Sequence, residues 1–237
     1  MLLSIITATY QSDPNVVETA GSIIPHLGGE IEWIIKDSSQ EVDSELLSGG
    51  VLEGARIFFK KDKSLYQGLN QALEMASGKY FLVLGAGDGL INSAVQQLIH
   101  QLMQNDLEDL VDIFFYSMLH QGKNSVFRPE PLSLHVGMSC PHPAIIMKTE
   151  YAREIGFFDE RYLIASDYDL TLRYFNRYRR YLRSEMVISE FKGGGMSEIK
   201  TEETALETML IKIRNQRFLS ELKMIDENST NTIQSQN

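Results

Sequence analysis

The chain has 237 residues, 43% hydrophobic and 23% charged, with 17 Gly and 6 Pro, a composition that supports one compact domain and excludes a disordered, collagenous or low-complexity protein. Lys plus Arg number 22 against 32 Asp plus Glu, a net charge of −10, which argues against a nucleic-acid partner. One cysteine, Cys140, excludes an internal disulfide and a multi-thiolate zinc site, and the five histidines lack zinc-binding spacing, so a reducing, cytoplasmic setting is expected.

MLLSIITATY lacks the basic segment and small-residue cleavage site of a signal peptide and reads as a buried strand. Ser12, Asp13 and Pro14 then signal a helix start, Val16, Val17, Ala20, Ile23, Ile24 and Leu27 recur at helical spacing, and Gly28-Gly29 supplies the stop. IEWIIKDSS is a second strand; after a short helical patch around Leu46 and Leu47, RIFFK is a third. Tyr66 to Ala76 reads as a helix ended at Gly78, and KYFLVLGAGD as a fourth strand. Strands alternating with helices imply βαβ crossovers and an α/β fold: a doubly wound, mainly parallel sheet covered on both faces.

The second half breaks that rhythm. VDIFFYSML and HPAIIMK read as strands with no regular helix between them, so the sheet becomes mixed. A helix is expected from Ser166 to about Arg180, then a short strand at MVISEF, the glycine-rich KGGGMS loop, and a last helix from Thr201 to about Ile225. DENSTNTIQSQN is polar and reads as a tail without fixed structure. No apolar run reaches the ~18–20 residues of a membrane-spanning helix, so any membrane contact is expected to be peripheral.

Open α/β sheets bind ligands beyond the carboxyl ends of their strands. Three of those ends are polar here: Thr7, Thr9 and Tyr10 after the first strand, Asp37, Ser38 and Ser39 after the second, and Gly85-Ala86-Gly87-Asp88 after the fourth. Their convergence places an aromatic face, hydrogen-bonding groups and a carboxylate around one ligand, a set that suits a nucleotide. Taken singly, each is equally a turn.

The order SIITATY, EWIIKDSS, DKSLYQGLNQALEMASGKYFLVLGAGD, HPAIIMK, ASDYDLTLR, SEFKGGGMS resembles a family 2 glycosyltransferase, specifically the small bacterial enzymes that assemble capsule, O-antigen or colanic-acid repeat units. The resemblance covers roughly residues 1 to 197. It implies a glycosyltransferase-A catalytic domain over 1–197, a helical extension over 198–225 and a tail over 226–237. It further implies a nucleotide-sugar donor, usually UDP-linked, a divalent cation (Mn2+ or Mg2+), inversion at the anomeric carbon, and a saccharide acceptor, typically linked to undecaprenyl diphosphate.

Carried across by position, the resemblance assigns Thr7, Thr9, Tyr10 and Asp37 to the base and ribose. It places Asp62, Tyr66 and Asn70 over the nucleotide, although Ser64, Gln67 and Ala72 depart from the usual pattern in that segment. Asp88 matches the last acid of the metal-binding turn, with Gly87 where a second acid is common, and one carboxylate completed by phosphates and water is enough for magnesium. Asp167 matches the base that takes the acceptor proton; Asp169, roughly 200° further round the helix, cannot share its direction. His142 matches a histidine placed to contact diphosphate or acceptor, and Arg173 a residue that braces the helix.

RYFNRYRRYLR gathers arginines among tyrosines in an acidic chain. It reads as a solvated face or as a surface for anionic lipid, and the apolar last helix as a candidate homodimer contact. Gly87 and Gln67 keep open an alternative from another class, a nucleotide-sugar-binding domain without catalysis. A nucleotidyltransferase is disfavoured, because no glycine-rich loop with a lysine follows the first strand.

Overall fold

Near-continuous apolar strands such as LSIIT must be buried on both faces, and the computed structural model buries them in a sheet covered by helices on either side. It describes residues 1–11, 13–39, 50–104 and 110–234. Strand β1 (Leu3–Thr9) pairs in parallel with β2 (Ile31–Asp37) and with β4 (Tyr80–Val83), and β2 pairs in parallel with β3 (Arg56–Phe59). Antiparallel β8 (Ile145–Lys148) lies between β4 and β6 (Ile113–His120), and β9 (Tyr181–Phe191) runs parallel to β6. The order is β3-β2-β1-β4-β8-β6-β9-β5, where β5 (Gly89–Leu90) forms an edge and β7 (Ser125–Phe127) pairs with β6. The expected mainly parallel, mixed sheet is what the chain forms.

Side-chain alternation divides the core in two. Ile5, Trp33, Leu82 and Phe114 pack against α1 (Val16–Ile23) and α3 (Asn92–Met103). Ile6, Ile34, Phe81 and Phe115 pack against α2 (Leu65–Glu74) and α5 (Ser166–Arg177), with α4 (Thr149–Glu154) contributing Ala152. Gly78, ahead of β4, lies so close to β1 that a Cβ there would sit 2.6 Å from the Ser4 backbone nitrogen, which only glycine avoids.

The end of the chain differs from the single helix and unstructured tail expected of it. After α6 (Met196–Ile199), α7 (Thr201–Arg214) stops at Asn215, whose side-chain amide donates to the Ile211 carbonyl at 2.9 Å, and α8 (Gln216–Gln234) continues beyond Ile225. Ile211, Phe218, Leu219 and Leu222 enter the α5 core, each burial contributing about 1.5–3 kcal/mol. Ser12, the predicted patch around Leu46 and Leu47, and residues 235–237 lie outside the described residues.

The arginine-rich segment is neither one helix nor an open cationic face. Helix α5 ends at Arg177 and β9 begins at Tyr181, because Arg180 grips buried Asp112 through two hydrogen bonds of 2.8 and 2.7 Å. Arg173 pairs with Asp169, Arg179 with Glu221 and Arg183 with Glu130. These pairs match the reading of a solvated face whose arginines are balanced by acids. Among the described residues no helix is long and apolar enough to cross a membrane.

At the amino-terminal edge of the sheet, Glu32 ties three segments together. It accepts from Ser4 Oγ (2.6 Å), Ser77 N (2.7 Å), Ser77 Oγ (2.8 Å) and Arg56 Nη1 (2.6 Å). Burial opposes its ionisation, but these hydrogen bonds win and hold the carboxyl down at about 2. A depressed carboxyl stabilises the fold above its unfolded value near 4.5, and that stability is lost as pH falls toward 2. Glu32→Gln is therefore expected to cost roughly 2–3 kcal/mol at pH 7 and little at pH 2. Urea unfolding across pH 2 to 7 measures this, and an unchanged acid limb would count against the role.

Candidate active site

Because β1, β2, β4, β6 and β9 run the same way, their carboxyl ends collect along one edge of the sheet. Antiparallel β8 brings its amino end, with His142 just ahead of it, to that same edge. There they enclose a cavity of about 420 Å³ whose lining includes Tyr66, Asp88, His120, His142, Asp167 and Glu198. Asp88 and His120 enter from the ends of β4 and β6, Asp167 from the first turn of α5. Three of the sequence-predicted site residues that bear ionisable chemistry, Asp88, His142 and Asp167, thus meet in one space.

Beside the cavity, Thr9 donates to Asp37 at 2.7 Å, and Asp37 also accepts from Ser39 N at 2.7 Å and Ser39 Oγ at 2.5 Å. Tyr10, just beyond the end of β1, is 66% exposed. Asp62 forms an ion pair with the fully buried Lys36 beneath α2. A Cβ on Gly68 would come within 2.9 Å of the Asp62 carboxylate, so glycine leaves room for that pair. The pair fixes the 60–64 turn next to the strand that carries Asp37.

Two residues expected at the donor make bonds within the fold. Thr7 is fully buried and its hydroxyl accepts from Trp33 Nε1 at 3.0 Å, which commits it to the α1 side of the core below the strand end. Asn70 spends both ends of its amide on the Phe158 backbone, accepting from N at 3.0 Å and donating to O at 2.9 Å. Tyr66 does face the cavity, but with its ring: its hydroxyl donates to the Ile164 carbonyl and the ring stacks on Phe158 at 5.3 Å. Tyr66 and Asn70, one turn apart, thus fasten α2 to the segment leading to Asp167.

Asp169 is buried and bonds Arg173 Nε at 2.6 Å, and Arg173 donates on to the carbonyls of Ile155 and Phe157. That leaves Asp167, half-buried, as the carboxylate of α5 that lines the cavity. The opposite wall is a feature the sequence did not disclose. Glu198 binds Lys123 Nζ (2.8 Å), His120 Nε2 (3.1 Å) and Gly194 N (2.9 Å), closing the glycine loop onto the end of β6. His120 lies 78 residues from Glu198, a separation that no local pattern reveals.

The chain is 24% identical over 204 residues to an uncharacterized glycosyltransferase of Rickettsia prowazekii, an alignment covering 79% of this chain and 63% of the relative, so the chain spans less than two thirds of that protein's length. No family profile matches it. S. aureus TarS in complex with UDP-GlcNAc superposes with a TM-score of 0.65 at 16% identity, covering 83% of this chain and 61% of that one. Mannosyltransferase PcManGT from Pyrobaculum calidifontis in complex with GDP-Man and Mn2+ gives 0.66 at 13% identity, covering 91% and 64%. This is a glycosyltransferase-A fold.

The donor set of this glycosyltransferase-A fold suits a divalent cation only if substrate completes it. Among the described residues no three His, Cys, Asp or Glu side chains cluster to hold a metal. Asp88 is 6% exposed and receives two long hydrogen bonds, from Gly85 N and Lys192 N, both 3.2 Å. Burial pushes its carboxyl up to about 6, with Glu190 adding to the rise. A desolvated hard oxygen ligand with so little compensation fits Mn2+ or Mg2+ shared with phosphates and water. Gly87, at φ +96°, occupies a backbone state that an aspartate would strain, which explains the missing second acid.

Two outcomes follow from this geometry. Thr7→Val removes the Trp33 acceptor and is expected to cost about 1–3 kcal/mol of stability while leaving UDP affinity within twofold, read by urea unfolding and calorimetry. Asp88 behaves in the opposite sense: a carboxyl raised in the folded state favours folding at low pH and loses that advantage as pH rises through about 6. Asp88→Asn is expected to stabilise the metal-free protein by roughly 1–3 kcal/mol at pH 7.5 and to flatten stability between pH 4 and 6. Loss of stability in this variant would mean that Asp88 is a structural acid.

Proposed function

We propose that this chain is an inverting glycosyltransferase that moves a sugar from a nucleotide-sugar donor, UDP-linked, onto a hydroxyl of a saccharide acceptor. The observation that carries the reading is that Asp88 and Asp167 line one cavity at the carboxyl edge of the sheet. The nucleotide lies in the crevice of Thr9, Tyr10, Asp37 and Asp62, and its diphosphate reaches Asp88. Asp88 is the residue that would hold a divalent cation here, and such an ion would supply charge neutralisation for the leaving group. The Asp167 carboxylate takes the acceptor proton as the acceptor oxygen bonds to the anomeric carbon. The bond from that carbon to the phosphate oxygen breaks, its electrons leave with the nucleoside diphosphate, and attack from the opposite side inverts the centre.

Burial depresses the affinity of His142 for a proton, a neighbouring Asp167 partly opposing this, so the ring serves as a neutral hydrogen-bond partner for acceptor or diphosphate. A lipid-linked acceptor and a place in surface-polysaccharide assembly belong to this proposal through the sequence resemblance. Transfer assays with a panel of UDP-sugars, with and without EDTA, test it. Asp167→Asn is expected to lower turnover about 100- to 10,000-fold with donor affinity within twofold, since an amide of the same shape cannot accept the proton. Unchanged turnover in that variant would move the base elsewhere. Donor binding without transfer by the wild type would instead favour the non-catalytic binding domain.

A further inference from the structure

Between Asp159 and Ala165 the chain has no regular structure, yet this segment delivers Asp167 to the cavity. Its backbone is fixed from outside, by α7. One carboxylate, Glu207, receives three consecutive amides: Oε1 accepts from Leu163 N at 2.8 Å, and Oε2 from Ile164 N at 2.9 Å and Ala165 N at 2.8 Å. The amides end two residues before Asp167. On the other side of the same peptide run, the Ile164 carbonyl accepts from Tyr66. Two helical turns along from Glu207, Arg214 donates to Tyr162 Oη at 2.8 Å and to Asp159 Oδ2 at 3.2 Å, gripping the start of the segment. The clamp runs from core to cavity wall: Tyr162 and Ala165 are packed in the core, Ile164 lines the cavity and Leu163 is 58% exposed.

Successive backbone amides turned to one point form a concave anion site, and here a carboxylate from the chain's own α7 fills it. Hydrogen bonds to an ionised acceptor are about twice as strong as neutral ones, so three on one carboxylate fix the peptide planes closely. We propose that Glu207 is a positioning residue, which sets the place of the Asp167 carboxylate and makes α7 part of the catalytic apparatus. The inference rests on the reading of Asp167 as the base. Small displacements of a base are costly, because proton transfer needs hydrogen-bond distance to the attacking hydroxyl.

The test is Glu207→Gln in the full chain, since an amide turns a donor group toward donors. Turnover is expected to fall 10- to 100-fold, with donor KM and UDP affinity within twofold. Hydrogen exchange at Leu163, Ile164 and Ala165 is expected to quicken at least tenfold. A role confined to stability would multiply through any background, whereas a positioning role acts through Asp167. In Asp167→Asn, therefore, Glu207→Gln should lower the residual rate less than twofold. Glu207→Asp, which keeps the charge, should recover part of the loss and serves if the glutamine variant folds poorly. Full turnover in Glu207→Gln, or an equal loss in both backgrounds, overturns the positioning role and leaves the proposed function standing. No transfer by wild type overturns the function, and the positioning role with it, even where the exchange result shows the clamp to be real.

Discussion

Parallel pairing of β1 with both β2 and β4 is the constraint from which the site follows. In that register Thr9 stands opposite Asp37, and Leu84 N donates to the Ile6 carbonyl at 3.0 Å, so the turn ending in Asp88 begins just beyond the β1–β4 pair. A one-residue slip would turn Trp33 and Thr7 to the α2 side and Lys36 away from Asp62, so the buried bonds of both faces specify one register. Parallel strands need crossovers, and the crossovers are the helices that cover the sheet. The edge at which functional groups gather is therefore a consequence of how the core is closed.

Strands, crossover helices and the switch to a mixed sheet were legible because their signals are local: apolar runs, helical spacing, glycine stops. Asp88, His142 and Asp167 were legible as chemistry-bearing residues at strand and helix ends. The bonds that Thr7 and Asn70 make were not legible, because each partner is distant in sequence, Trp33 for Thr7 and Phe158 for Asn70. The acids that balance the arginine segment could not be named from sequence, since they come from just ahead of β6, from α8 and from the stretch before β8.

The Glu198 contacts and the Glu207 clamp were beyond sequence reasoning. Each is a single acid in a polar stretch, indistinguishable by composition from its neighbours, and its partners are backbone amides or a histidine on another element. They assign work to the segment after residue 197, which the sequence resemblance leaves outside the catalytic domain. Packing says the same: Ile211 and Phe218 lie in the core that holds α5. The segment after 197 closes one wall of the cavity through Glu198 and steadies another through Glu207.

One residue type thus serves two purposes, divided by what surrounds it. Asp112, Asp169 and Glu32 are buried with hydroxyl, amide or cationic partners close by, and their charge is spent on holding segments in place. Asp88 carries the burden of burial with two long amide contacts, and Asp167 accepts a single local bond from Tyr168 N at 2.8 Å. A carboxylate that is short of partners keeps lone pairs for something that arrives from outside, which is what the proposed function asks of Asp88 and Asp167. The desolvation that raises Asp88 is a cost of having the site formed before substrate enters, and the surrounding structure absorbs it through the fully satisfied acids. Function sits where that satisfaction stops.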